Sequence, residues 1–167
     1  MKIYLSSDHA GFKLKDQVIL WVKALGHEPV DLGPFVYNEK DDYPDFIKLV
    51  AREVSSDPLN ARGIIFGASG EGEAIVANRF PRVRAVAYYG GNREIIRLGR
   101  QHNDSNILSL GARFINDHEA EEMVKLWLNT DFSGEERHAR RIKKIEEVTA
   151  TSWFKKLWRV KKLFRRS

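Results

Sequence analysis

The chain contains no cysteine. That excludes disulfides, thiolate metal sites and a cysteine acting as nucleophile or base, and it agrees with a reducing, cytoplasmic setting. Long apolar runs are missing too. No segment approaches the roughly 20 residues needed to cross a bilayer. The opening stretch, Met1-Lys2-Ile3-Tyr4-Leu5-Ser6-Ser7-Asp8, is too short an apolar run for a signal peptide. There is no internal repeat and no low-complexity linker, so 167 residues predict one domain with enough apolar content for a real core.

Basicity is absent from most of the chain despite a net charge of +5. Residues 149–167 hold seven bases (Lys155, Lys156, Arg159, Lys161, Lys162, Arg165, Arg166) and no acid. Taking those seven from the 28 leaves 21 bases against 23 acids in the body, about −2. Charge therefore gives the globular part no nucleic-acid signature. The predicted division is a domain over 1–148 and a basic amphipathic helical extension over 149–167. In the extension Trp153, Phe154, Leu157, Trp158, Val160 and Phe164 fall mainly along one side of a helix, with Lys161 and Arg165 intruding. Such a segment suits contact with a membrane surface or docking on the body or a neighbouring subunit, and nucleic-acid contact by its bases is a third use.

What the body does have is alternation. Short β-branched or apolar runs (Lys2–Ser6, Pro29–Leu32, Gly63–Gly67, Arg84–Tyr88, Asn106–Leu110) are separated by longer amphipathic ones. The helical runs are Phe12–Leu25, Pro44–Ser55, Glu73–Arg79, Asn92–Gln101, Asp117–Leu128 and Glu135–Val148. This pattern predicts an α/β fold, a three-layer α/β/α Rossmann-like domain around a central five-stranded parallel sheet. Gly26 is placed to end the first helix, Pro44 to open the second and Asp117 to cap the fifth. In such sheets ligands collect beyond the carboxyl ends of the strands. The loops there are Ser7–Gly11, Gly67–Glu73, Tyr89–Asn92 and Gly111–Arg113, and His102-Asn103 is grouped with them as a place for chemistry.

The loop Gly67-Ala68-Ser69-Gly70-Glu71-Gly72-Glu73 is the most informative of these. Glycines between a strand and a helix leave backbone amides uncovered, and a helix N-terminus favours an anion. A plain phosphate cradle would not want Glu71 and Glu73. A carboxylate beside anion-stabilising amides suits removal of a carbon-bound proton, the amides holding the enediolate that forms. The glycine spacing does not match a dinucleotide-binding turn, and no acidic ribose partner follows about 20 residues on.

Six segments together carry a resemblance. Ser7-Asp8-His9-Ala10-Gly11-Phe12-Lys13-Leu14-Lys15, Asp42-Tyr43-Pro44-Asp45, Gly67–Asn78, Arg100-Gln101-His102-Asn103-Asp104, Leu110-Gly111-Ala112-Arg113 and Arg137-His138-Ala139-Arg140-Arg141-Ile142 stand in order from Met1 to about residue 147. They resemble the ribose-5-phosphate isomerase B family, whose relatives include galactose-6-phosphate isomerase subunits. One branch of that family uses a cysteine at the position held here by Gly67. The other has the pattern Gly-Gly-Ser-Gly-x-Gly-Glu and uses its glutamate. This chain resembles the glutamate branch, with Ala68 in place of the second glycine, a departure that matters only if position 68 needs a positive φ.

The resemblance implies an aldose–ketose isomerase acting on D-ribose 5-phosphate and D-ribulose 5-phosphate through an enediolate. It implies Glu73 as base, Ser69 as proton carrier between O1 and O2, and His102 as the group that opens the sugar ring. Asp8, His9, Tyr43, Gly67, Ala68, Gly70, Gly72 and Asn103 would contact the substrate, and Arg113, Arg137, His138 and Arg141 the phosphate. The family's C-terminal helix reaches a neighbouring subunit, so a homodimer with shared sites is implied, or a tetramer of such pairs. No cofactor is implied. Asp8-His9 is a common metal-ligand pair, but the sequence offers no third ligand at a convincing spacing, so no metal is expected. Against these roles stand plainer ones: Glu73 as a first-turn acid, Tyr43 as a packing aromatic, Arg137 and Arg141 as a solvated basic face. The functional alternatives are an isomerase of a six-carbon sugar phosphate, such as allose 6-phosphate or galactose 6-phosphate, and a non-catalytic sugar-phosphate-binding protein.

Overall fold

The computed structural model describes residues 1–148; the expected amphipathic extension over 149–167 lies outside them. Two compact units are present, Met1–Ser133 and a second beginning at Gly134. The first contains the sheet. Its elements run β1 (Lys2–Ser7), α1 (Phe12–Ala24), β2 (Glu28–Asp31), α2 (Tyr43–Ser56), β3 (Ala61–Gly67), α3 (Glu71–Ala77), β4 (Ala85–Tyr88), α4 (Glu94–Asn103), β5 (Ile107–Gly111) and α5 (Asp117–Leu128). In the second unit residues 136–148 form a helix, α6. No helix among the described residues is long and apolar enough to cross a membrane.

All five strands are parallel, in the order β2-β1-β3-β5-β4. Parallel neighbours require crossovers, and the four helices that lie between strands, α1 to α4, supply them. Side chains alternate across the sheet as the pleat demands. Ile3 and Leu5 of β1, Ile64 and Phe66 of β3, and Leu108 and Leu110 of β5 join one core with α1, α4 and α5, including Val18, Ile96, Val124 and Trp127. Ile65 and Ile107 face the other way, onto Ile47, Val50 and Val54 of α2 and Ala77 of α3. The result is the expected three layers.

Helix ends show where the sequence reading needs correction. Gly26 has a φ of +80° just past α1 and Pro44 lies in the first turn of α2, as anticipated. Asp117, however, does not cap α5. Asn116 does, its side chain accepting the Glu119 amide at 2.9 Å. Helix α3 begins at Glu71 rather than Glu73, because Gly70 takes the left-handed turn (φ +80°) directly before it. Helix α4 runs through Asn103, so His102 and Asn103 form its last turn instead of following it.

Candidate active site

The chain leaves β1 toward β2 on one side and β3 toward β4, beyond β5, on the other, so the loops after β1 and β3 diverge at the boundary between those strands. A crevice opens at such a boundary. Several bonds hold its walls. The Asp8 amide donates to the Phe66 carbonyl (3.3 Å), the Ala112 amide to Gly67 (2.9 Å) and the Arg113 amide to Ala68 (3.1 Å). The Ser109 hydroxyl donates to the Gly70 carbonyl at 2.6 Å. The loops after β1, β3 and β5 are thus tied together.

Glu73 stands at the centre. Its position in the first turn of α3 turns the side chain back over the end of β3, where the carboxyl packs on the Cα of Gly67 so closely that a Cβ at residue 67 would overlap it. The residue is 4% exposed. Burial raises its pKa above the ordinary glutamate range; its own backbone amide pulls the other way, and the nearby Asp8 charge adds to the rise. Ala68 needs no special backbone: among the described residues only Arg82 and Asp104 are non-glycines at positive φ. The change from glycine therefore leaves the loop's conformation available. Ser69 Oγ accepts the Glu71 amide at 3.3 Å, which leaves its O–H to donate. Tyr43 covers the loop from α2, and a Cβ at Gly72 would come within 3.0 Å of its ring carbon and its hydroxyl. Glu71 is exposed.

Asp8 and His9 follow β1 into the same crevice. Asp8 Oδ1 accepts the amides of Ala10 (2.9 Å) and Gly11 (3.2 Å). The structure adds a residue that the sequence reading did not single out. Asp41 lies against His9, its Oδ1 2.7 Å from the ring Nδ1 and 3.1 Å from the His9 amide. A third side chain therefore does join Asp8 and His9, their ligand atoms all within 4.8 Å of one another. It comes from 32 residues away, which no local spacing could reveal. Asp8 Oδ1 and Asp41 Oδ1 each accept backbone N–H groups.

Arg113 is exposed on the loop after β5, on the same edge of the sheet as Glu73. His102 and Asn103 are not. The Asn103 carbonyl accepts Arg84 Nε at 3.1 Å, immediately before β4, and Asn106 accepts the Gly63 amide near the start of β3. Glu73 covers Gly67, four residues further along β3, roughly 13 Å at the usual strand rise. Within one chain the ring-opening candidate and the base candidate occupy opposite edges of the sheet. Arg137, His138 and Arg141 stand together on α6 in the second unit. Arg137 and Arg141 are exposed, and Arg137 Nε donates to Glu135 at 2.8 Å.

A family model described as ribose/galactose isomerase matches residues 3–145. The chain belongs to the ribose/galactose isomerase family. Among its relatives, a ribose-5-phosphate isomerase B from Mycolicibacterium paratuberculosis is 39% identical over 151 residues, covering 90% of this chain and 93% of the relative. The solved ribose-5-phosphate isomerase B of Mycoplasma genitalium, which holds ribulose-5-phosphate, is 36% identical with a TM-score of 0.84 over 88% of this chain and 95% of its own. That of Clostridium thermocellum is 40% identical, TM-score 0.84, over 91% and 99%. The parallel α/β/α architecture read from the sequence is the fold of these isomerases.

Proposed function

We propose that the protein interconverts D-ribose 5-phosphate and D-ribulose 5-phosphate through an enediolate, with Glu73 as base. The observation that carries this reading is the Glu73 carboxyl itself, 4% exposed, with its pKa raised by burial, at the edge of a loop of backbone amides. A carboxylate whose pKa is raised by burial is a stronger base than a free one, which suits removal of a carbon-bound proton. Glu73 takes the proton from C2 of the open-chain aldose and returns it at C1. The Ser69 hydroxyl and the amides of residues 68–72 hold O1 and O2 as charge develops there. Asp8, His9, Tyr43 and Asn103 contact the substrate, and Arg113, Arg137, His138 and Arg141 take the phosphate, whose binding energy orients C1 and C2. The exchange is redox-neutral within one molecule, so its chemistry calls for no redox cofactor.

His102 would open the ring by proton transfer, for which an imidazole is suited. Its place on the edge opposite Glu73 supports a site assembled from two chains, one giving Glu73 and the glycine loop, its partner giving His102 and Asn103. The protein is on this reading a homodimer. Conversion of ribose 5-phosphate by wild type and Glu73→Gln tests the proposal. The substitution should lower kcat by about 10²- to 10⁴-fold with the fold intact. Equal turnover would move the base elsewhere. Wild-type turnover only of a six-carbon sugar phosphate would change the substrate, and binding without turnover of either would make the protein a non-catalytic binder.

A further inference from the structure

Asp41 has no task in the reaction just described, yet its side chain is 4% exposed, and its Oδ2 is buried with no hydrogen-bond partner. A half-satisfied buried carboxylate costs stability, so its position calls for a reason other than packing. We propose that Asp41 is a positioning residue. It holds the His9 ring with Nδ1 protonated and turned inward, so that Nε2 is the nitrogen presented to the sugar phosphate. This rests on the reading that Asp8 and His9 contact that substrate.

Three observations fix the geometry. Asp41 Oδ1 accepts the backbone N–H of His9, and the same oxygen lies 2.7 Å from Nδ1. An oxygen serving as acceptor for the amide serves the ring in the same way, which places the proton on Nδ1. Because amide and ring share one oxygen, the imidazole cannot flip without losing the shorter bond. Tyr37 meets the His9 ring edge-on with centroids 6.5 Å apart, and Tyr37 in turn packs edge-on against Phe12 at 5.9 Å, so the ring has an aromatic neighbour that is itself supported.

The segment that delivers Asp41 is itself anchored. Lys15, 1% exposed on α1, donates to both oxygens of Asp31 at 2.8 Å and to the Pro34 carbonyl at 2.9 Å. Asp31 also accepts the Gly33 amide at 2.9 Å. The chain between β2 and α2 is thus pinned where it leaves the sheet, and again at Asp41 through His9. Its rings at Phe35 and Tyr37 pack toward Lys15 and His9. The arrangement resembles the outer partners that orient histidines in other sites, where loss of the acceptor frees the ring rather than removing it.

The test combines kinetics with a direct view of the ring. In wild type labelled with ¹⁵N-histidine, without substrate, His9 should show a proton on Nδ1. Asp41→Ala should remove that signature. The same variant should raise KM for ribose 5-phosphate about tenfold, the worth of one lost hydrogen bond, with kcat changed far less. His9→Gln should raise KM similarly, and Asp41→Ala combined with His9→Gln should be no worse than His9→Gln alone. Asp41→Asn keeps the acceptor oxygen and should restore KM most of the way; if Asp41→Ala does not fold, Asp41→Leu, which fills the space without an acceptor, takes its place with the same expected rise in KM. A wild-type ring protonated only on Nε2, an unchanged KM, or effects that multiply in the double variant would overturn the proposal. If wild type does not turn over ribose 5-phosphate, the functional reading fails, and the ring signature still decides the role of Asp41.

Discussion

Burying Glu73 works against folding at neutral pH. Its pKa is raised in the folded state, so the folded protein binds the proton more tightly than the unfolded chain does. The cost is absent below the ordinary glutamate range and grows as pH rises through the folded-state value. Glu73→Gln removes the charge and should therefore have a higher Tm than wild type at about pH 8, with the two converging toward about pH 4. Thermal unfolding across that range measures it, and a lower Tm for the variant at high pH would contradict the buried charge. Gly67 is subject to the same geometry. A methyl group there would stand where the carboxyl now sits. Gly67→Ala should displace Glu73, lowering turnover by at least about 10²-fold and stability by about 1–3 kcal/mol. Steady-state rates and urea unfolding of the variant check both.

At the scale of elements, the end of α4 links stability to the site. Asp104 closes the helix at a φ of +44°. Its oxygens bind Arg100 at 2.7 Å and Arg84 at 2.9 Å, and the Arg100 side chain is 4% exposed. Removing that carboxylate leaves a nearly buried guanidinium with less compensation. Asp104→Ala should cost about 2–3 kcal/mol in urea unfolding, and Asp104→Asn less, since asparagine tolerates the left-handed turn and keeps an acceptor. The variant should also loosen His102, two residues upstream, and reduce turnover.

This end is also where the sequence was least legible. Strand and helix order, the parallel sheet and the Glu73 loop could all be read from period, glycine placement and motif order. The last turn of α4 could not, because His102 and Asn103 are ordinary helix-end residues and Arg84, which donates to the Asn103 and Asp104 carbonyls, comes from just before β4, about 20 residues earlier. The start of α3 was hidden for a local reason. Gly72 is a poor helix former, so the periodic pattern begins later than the helix. Asp41 was invisible because its partner is His9, 32 residues earlier, and the Asp41-Asp42 pair alone looks like solvated charge.

The whole molecule sets Glu73 and His102 of one chain on opposite edges of the sheet. A mixture of Glu73→Gln and His102→Gln proteins, each inactive alone, should therefore regain activity once subunits exchange. Random pairing gives one intact site in each mixed dimer, about a quarter of the wild-type sites. Dissociating the mixture in mild denaturant and returning it to buffer before assay reads this out. No recovery would mean that both groups serve one site within a single chain. The same separation has a consequence for inheritance. If the site is shared as proposed, two defective alleles, one altered at Glu73 and one at His102, would rescue each other in the same cell, whereas two alleles altered at the same residue would not. Complementation between mutants thus maps which of the two chains supplies each residue to a shared site, with no structure needed.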